Sequence, residues 1–507
     1  MKKKLIILLA LLILLPQIAQ ANNITLRSLF LDGKSTICAI NIRNFNANDI
    51  NKNGIVEENE TSGNFINAID RLDEIKSANI NTLHLLPITP IGKLKALGTA
   101  GSVYAISDFE SINPQLIDTN SELTPIEQVK KFINECHYRN IKVIIDLPSC
   151  GSYDLFLTHP ELFIKDKKKL SIVPTDWTDV RLFNTGKNGN LNQDLVNIHK
   201  KFIDLMLEIN ADGIRADVAT IKPFDFWVEI INYTRAKNPD FLFLAEASDS
   251  WREPPSKYAE FTPYDKLLEA GFDGYYGSFF NLKDWKYSEE FFEHIKFNKK
   301  LITSFAENKN VIMSFTTHDE ISPVTLRGED FSVLICWLEA TLPFNPYFVD
   351  GFQSGDRYIY PWANTKATYT ETDDDYYFVH RGKFDIFNFS RKPGGDSILI
   401  KDNFQKAFDF RASNIDLITK GTFTQLKTDR DKVFAYTRSY KGQTIFVVGN
   451  LDTKHSQKVS VKIAGLKKAQ RINVILGMAN YKTKKNFLYT DLKPNEIKVL
   501  RIENFSI

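Results

Sequence analysis

Two rhythms of hydrophobic and polar positions alternate along this chain, short apolar runs and longer stretches with apolar residues at helical spacing. TICAINI (Thr36 to Ile42) reads as a first strand. NFINAIDRLDEIKSANI then places Phe65, Ile66, Ile69, Leu72 and Ile75 at helical spacing, and INTLHLLPI follows as a second buried strand. TPIEQVKKFINECHYRN is an amphipathic helix opened by Thr124-Pro125, a cap followed by proline at the first helical position. IKVIIDLP makes a third strand ending at Asp146, and DLVNIHKKFIDLMLEIN is the helix that leads into GIRADVA, Gly213 to Ala219, as the fourth. PFDFWVEIINYTRAKN is helical, and FLFLAEA, GFDGYYGSFF and NVIMSFTT read as strands five, six and seven. FSVLICWLEATL is helical before NPYFVDG as strand eight. This order predicts an α/β protein, a closed (β/α)8 TIM barrel.

Residues 149–192 break the rhythm with Pro, Gly, Asp and Asn, and read as a small excursion over the barrel mouth. Its Lys165–Lys169 run is a solvated face. The loop after strand eight, about 351–400, is long and aromatic, with Asp356, Tyr360 and Trp362 suited to lining a groove. From about Gly421 the pattern changes to short alternating runs (VFAYTRSY, QTIFVVGNL, KVSVKIAG, RINVILG, EIKVLRIEN), the signature of a C-terminal β-sandwich over 421–507. The barrel then occupies 22–420.

Residues 1–21 have a basic start, an apolar core from Leu5 to Leu15 too short for a stable membrane anchor, and a small-x-small site at Ala19-Gln20-Ala21. They predict a signal peptide, export to the periplasm or beyond the cell, and no membrane association after cleavage before Asn22. Removing Lys2, Lys3 and Lys4 takes the formal charge from +2 to −1 (2 − 3 = −1), which leaves no basic excess to attract nucleic acid. Cys38, Cys136, Cys150 and Cys336 are scattered without a Cys-x-x-Cys pair, so a zinc site is not expected and buried free thiols are.

Candidate chemistry gathers at strand ends. Arg215 and Asp217 lie two apart, so on a strand they point the same way. The guanidinium favours the ionised carboxylate, whether as a buried ion pair or as a nucleophile. Glu246 ends the fifth apolar run, and His318 and Asp319 end the seventh. Three acids at the C-terminal tips of three buried strands make the pattern of a catalytic barrel face. Tyr104 stands in a loop after strand two as a flat platform for a sugar ring, while His84 within that strand reads as a core histidine. Near the start, Asp49, Asn51 and Asn53 alternate before Gly54, and Glu57 and Glu60 follow. With the Ile55 carbonyl this approximates an oxygen-rich Ca²⁺ loop.

These motifs resemble the α-amylase family, glycoside hydrolase family 13, from about Ile37 to the C-terminus. The resemblance implies Asp217 as nucleophile with Arg215 as its partner, Glu246 as general acid/base, and Asp319, beside His318, as the acid that stabilises the transition state. Tyr104 matches the family's stacking tyrosine, and Asp146, Arg215 and His318 are implied as substrate-binding residues. The Asp49 loop, with Asn51, Asn53, Ile55 and Glu57, matches a calcium loop of oligoglucosidase-like members. Two departures stand out. After Asp146 the family's Asn and His are replaced by Cys150 and Gly151, and after Asp217 the frequent Lys-His is replaced by Thr220-Ile221. The expected activity is retaining cleavage of α-glucosidic bonds in oligo- or polysaccharides. A transglycosylase on the same scaffold and a carbohydrate-binding protein without turnover are the alternatives.

Overall fold

The computed structural model describes residues 24–51, 56–97, 100–174, 177–254, 256–357, 392–468, 470–477, 480–503 and 505. The expected signal peptide, Asn53, Ile55, Tyr360 and Trp362 lie outside the described residues. No helix among those described is long and apolar enough to cross a membrane.

Eight parallel strands close into a barrel in chain order: β1 (Ile37–Ile40), β2 (Thr82–Leu85), β3 (Lys142–Leu147), β4 (Gly213–Ala216), β5 (Leu242–Ala245), β6 (Gly274–Tyr276), β7 (Asn310–Met313) and β8 (Asn345–Val349). The strands are buried on both faces, Lys142 at the start of β3 apart, because one face fills the barrel and the other meets the helices. Ile37, Ala39, Ile144, Leu242, Leu244, Ile312, Tyr347 and Val349 pack inside. Cys38, Ile40, Leu83, Val143, Ile145, Phe243 and Val311 pack outward into the helical sheath.

The barrel was legible in the periodicity, but several of its helices were not. A helix at Leu26–Leu31 sends Leu26 and Phe30 into the barrel interior. Phe30 comes so near β6 that a Cβ on Gly274 would stand 2.5 Å from its ring. Helices at Tyr264–Ala270 and Ser288–Ile302 fill the fifth and sixth crossovers. The stretch after β1 forms a 3-10 turn, Asn67–Arg71, and only a six-residue α-helix, Leu72–Ser77.

The eighth helix, Ile398–Ser413, follows the expected loop of about 351–400, in a stretch to which the sequence pattern assigned no element. Phe404 and Phe408 pack against Phe348 of β8 with ring centroids 5.0 and 5.6 Å apart. Buried Arg411 donates hydrogen bonds to the carbonyls of Glu339, Leu342, Phe344 and Gly33, closing the C-terminal end of helix Glu329–Thr341.

The excursion is a small unit on the mouth, in which Cys150–Ser152 pairs antiparallel with Val180–Leu182. The C-terminal domain is two antiparallel sheets of five and four strands. Val433, Ala435, Phe446 and Val448 face the second sheet. The alternate residues Phe434, Tyr436, Ile445 and Val447 join the barrel core, and Phe434 meets Phe291 at 4.6 Å. All four cysteines are buried and free.

Replacing Arg411 with methionine leaves several buried carbonyls without their donor, an expected loss of about 3 kcal/mol. A fall of several degrees in melting temperature, read by circular dichroism, is the check.

Candidate active site

Barrel register brings the charged residues together. Asp146 and Arg215 are direct partners across β3 and β4, so both side chains enter the barrel at the same height. Arg215 Nη1 donates to both Asp146 oxygens at 2.9 and 2.8 Å and to Asp217 Oδ1 at 3.1 Å. Its Nη2 stands 2.8 Å from Glu246 Oε1. One buried guanidinium thus holds three carboxyl groups.

The backbone continues the ladder beyond the strands. Asp217 N–H donates to the Leu147 carbonyl at 3.0 Å and Glu246 N–H to the Ala216 carbonyl at 2.9 Å, fixing both acids at the C-terminal mouth. Immediately after Asp217 the chain turns sharply at Val218, whose φ of 34° and ψ of 53° are left-handed. For a β-branched residue this is strained. The turn aims the Val218 N–H at Glu246 Oε2, 2.7 Å away.

Around these acids lies a cavity of about 170 Å³, open to solvent, lined by Tyr104, Cys150, Trp177, Val180, Asp217, Val218, Glu246, Trp251, His318 and Asp319. The three acids, Tyr104 and His318 therefore share one cleft, as the motifs suggested. Tyr104 OH lies 2.6 Å from His318 Nε2 and donates to Asp146 Oδ2 at 2.9 Å; the two rings are parallel within 4°. Asp319 Oδ2 is 3.5 Å from His318 Nε2, and about a third of the Asp319 side chain is exposed.

Asp146 and Arg215 occupy a different place from the one expected of sugar ligands. Both are buried beneath the cavity floor and outside its lining. Asp146 takes hydrogen bonds from Arg215 and Tyr104 in this arrangement. His84 is a core histidine of the same layer, 3.3 Å from Asp146 Oδ2 and 2.9 Å from Tyr347 OH, which in turn accepts from Tyr276 OH at 3.2 Å.

Electrostatics separates the acids. Burial alone would raise Asp146, but Arg215, His84 and His318 outweigh it and hold its carboxyl below the usual range. Burial lifts Asp217 to about 6; Arg215 pulls down, Asp146 pushes up, and a side-chain hydrogen bond from Glu246 steadies the anion. Glu246 is raised well above its ordinary value by burial, against Arg215, with the charges of Asp217 and Asp319 adding to the rise. Near neutrality the pair therefore keeps a proton on Glu246 and a charge on Asp217, the division of an acid and a nucleophile.

Sequence reasoning missed Trp177, Trp251, Tyr276, Tyr347 and Ser149. The tryptophans sit in irregular segments, and the tyrosines read as ordinary strand residues until the barrel closes. Ser149 N–H donates to Asp217 Oδ2 at 3.2 Å and its hydroxyl to the Asp217 carbonyl.

The calcium loop is described only in part. Asn51 Nδ2 donates to Glu57 Oε2 at 3.0 Å, and Glu60 accepts the backbone N–H groups of Ile50, Asn51 and Glu57 at 2.7, 3.2 and 3.1 Å. The Glu60 carboxylate thus serves as the clasp of the loop. Among the described residues no group of three or more His, Cys, Asp or Glu side chains could hold a metal ion.

Comparison with known proteins agrees with this architecture. Residues 423–497 match the family model described as Maltogenic Amylase, C-terminal domain. An α-1,4-glucan:maltose-1-phosphate maltosyltransferase from Picrophilus torridus is 26% identical over 466 residues, covering 86% of this chain and 67% of that protein. A cyclomaltodextrinase from Thermoanaerobacter pseudethanolicus is 23% identical, covering 87% and 71%. The crystal structure of a maltogenic α-amylase from Thermotoga neapolitana superposes with a TM-score of 0.68 at 18% identity, covering 93% of this chain and 99% of that one.

The proton on Glu246 has a thermodynamic consequence. Its folded-state affinity for that proton exceeds the unfolded one, so its contribution to stability is full below the ordinary carboxyl range and is lost as pH rises through the folded value. A Glu246→Gln variant is expected to melt a few degrees higher than the parent at pH 7, with the gap closing at pH 4, in paired thermal melts. With its barrel, its C-terminal domain and its cluster of strand-tip acids all in place, the chain is similar over most of its length to α-amylase-type proteins and carries a stretch matching the maltogenic amylase C-terminal domain.

Proposed function

We propose that this chain is an exported, retaining glycoside hydrolase that cleaves α-glucosidic bonds in α-glucans or maltooligosaccharides. The observation that carries this reading is that Asp217 and Glu246 share one guanidinium, Arg215 Nη1 meeting Asp217 Oδ1 at 3.1 Å and Nη2 meeting Glu246 Oε1 at 2.8 Å. Retaining enzymes place their two carboxyl groups about 5–5.5 Å apart, whereas inverting ones need about 6.5–9.5 Å to seat a water between acid and base. Two carboxyl groups drawn onto the adjacent nitrogens of one guanidinium stand close together, which favours the retaining arrangement.

In this reading Asp217 attacks the anomeric carbon while Glu246 gives its proton to the leaving oxygen, so the glycosidic bond breaks as the aspartyl ester forms. Water, deprotonated by Glu246, then attacks the same carbon and releases Asp217. Asp319 and His318 grip sugar hydroxyls as positive charge develops on the ring. Tyr104 offers its ring to the sugar face. Arg215 and Asp146 keep the two reacting acids in place from below the floor.

Transfer to a sugar acceptor in place of water is the second reading, favoured by the maltosyltransferase among the relatives and by the apolar cavity wall of Val180, Val218, Trp177 and Trp251. The loop from Asp49 to Glu57 is proposed to hold a structural Ca²⁺ through Asp49, Asn51, Asn53, the Ile55 carbonyl and Glu57. Its spacing and the approach of Asn51 to Glu57 support this. When bound, the ion would stiffen the loop and would take no part in bond cleavage.

Two measurements check these proposals. Products from maltoheptaose and pullulan, with and without excess maltose, are expected to show α-configured sugars first by NMR. Asp217→Asn and Glu246→Gln should each lower kcat/KM by roughly 10³-fold or more; full activity in the Asp217→Asn variant would sink the mechanism. Chelator is expected to lower the melting temperature and calcium to restore it, an effect absent in Asp49→Ala; a melt indifferent to both removes the calcium site.

A further inference from the structure

Lys222 is a fully buried lysine at the root of the active site. It follows the short turn Ala219–Ile221 that leaves the tip of β4, and its carbonyl is fixed by a hydrogen bond from Thr262 Oγ1 at 2.7 Å. Its ammonium donates to the Ser149 carbonyl at 3.1 Å and stands 6.0, 5.9 and 6.0 Å from the ring centroids of Phe183, Phe226 and Trp227. An ammonium so deeply placed is costly unless something holds it. Ser149 is also the residue whose N–H donates to Asp217 Oδ2 and whose hydroxyl donates to the Asp217 carbonyl.

Resting on the reading of Asp217 as nucleophile, we propose that Lys222 is a positioning residue for it. The ammonium clamps the Ser149 carbonyl, and Ser149 in turn fixes the attacking carboxylate in line with the sugar. Excursion, β4 tip and nucleophile are thereby tied at one buried point. Loss of the clamp lets the carboxylate wander, and a misplacement of about 1 Å can cost about 100-fold in rate.

The charged and titratable groups around Lys222 are Cys150 at the excursion root, Asp217 at the β4 tip and His199 of helix Gln193–Glu208. Burial lowers Lys222 to about 8, with Cys150 and Asp217 opposing. Burial pushes the Cys150 thiol up to about 12 and keeps His199 at about 3, with the charge of Lys222 adding to the latter. Asp217, at about 6, is already ionised where Lys222 loses its proton. Between pH 7 and 10, therefore, Lys222 is the member of this group whose charge changes.

The test is trapping by 5-fluoro-α-D-glucosyl fluoride, in which the C1–F bond breaks, fluoride leaves and a C1–O bond forms to the nucleophile; peptide mass spectrometry locates the adduct. Fluoride needs little protonation, so the trapping rate reports the nucleophile more than Glu246. The adduct is expected on Asp217, formed at least about 10-fold more slowly in Lys222→Met and within about threefold of the parent in Lys222→Arg. The parent rate should fall above pH 8, and that fall should vanish in Lys222→Arg, whose guanidinium stays charged. Circular dichroism checks folding, and Lys222→Gln replaces a Met variant that does not fold. Equal trapping of Asp217 in Lys222→Met, or a parent rate flat above pH 8, overturns the proposal and leaves the nucleophile standing. An adduct elsewhere, or none on the parent, overturns the reading beneath it.

Discussion

A single guanidinium organises the catalytic end of this barrel. Arg215, buried between β3 and β5, contacts Asp146, Asp217 and Glu246. One positive charge cannot stabilise three negative ones in a site of low polarity, so the set settles by leaving one member protonated. Geometry decides which. Asp146 lies deepest and takes both a double contact from Arg215 and the neighbourhood of His84 and His318, so it remains an anion. Glu246, burdened by burial and by two anionic neighbours, keeps the proton. The division of labour between acid and nucleophile is thus a consequence of charge balance around one cation.

That arrangement demands a rigid frame, and the strain at Val218 shows where the frame is strongest. A left-handed β-branched residue persists only where its surroundings over-determine it. Here the Val218 N–H is taken by Glu246, the Ala219 N–H by the Glu246 carbonyl, and Asp217 is held through both its backbone and its side chain. The turn after the fourth strand is therefore the place where backbone strain is exchanged for carboxylate placement.

The outer parts of the molecule serve the same end by burying surface. The first sheet of the C-terminal domain is apolar on both faces, one turned to its partner sheet and the other to the barrel helices. The phenol of Tyr436 even hydrogen-bonds Thr341 at 2.7 Å, at the end of the helix that leads into β8. The excursion adds Trp177 and Val180 to the cavity wall, turning an open barrel mouth into a pocket with one polar and one apolar side.

By itself the sequence determined the eight barrel strands, the excursion, the change to alternating strands near Gly421, and the three acids, because each rests on short-range periodicity or on a residue's position at the end of an apolar run. It determined the pairing of Arg215 with Asp217 for the same reason, since two residues apart on a strand means one direction. Tertiary structure alone decided that Asp146 and Arg215 sit under the floor and not in the cleft, because that depends on the register between β3 and β4, which the strands themselves do not encode. It also decided the helix at Ile398–Ser413, whose apolar face gains meaning only against Phe348 and Trp337. The tryptophan wall and the hydrogen-bonded layer from Tyr276 to His84 belong to this second class, since they join residues far apart in the chain that meet only when the barrel closes.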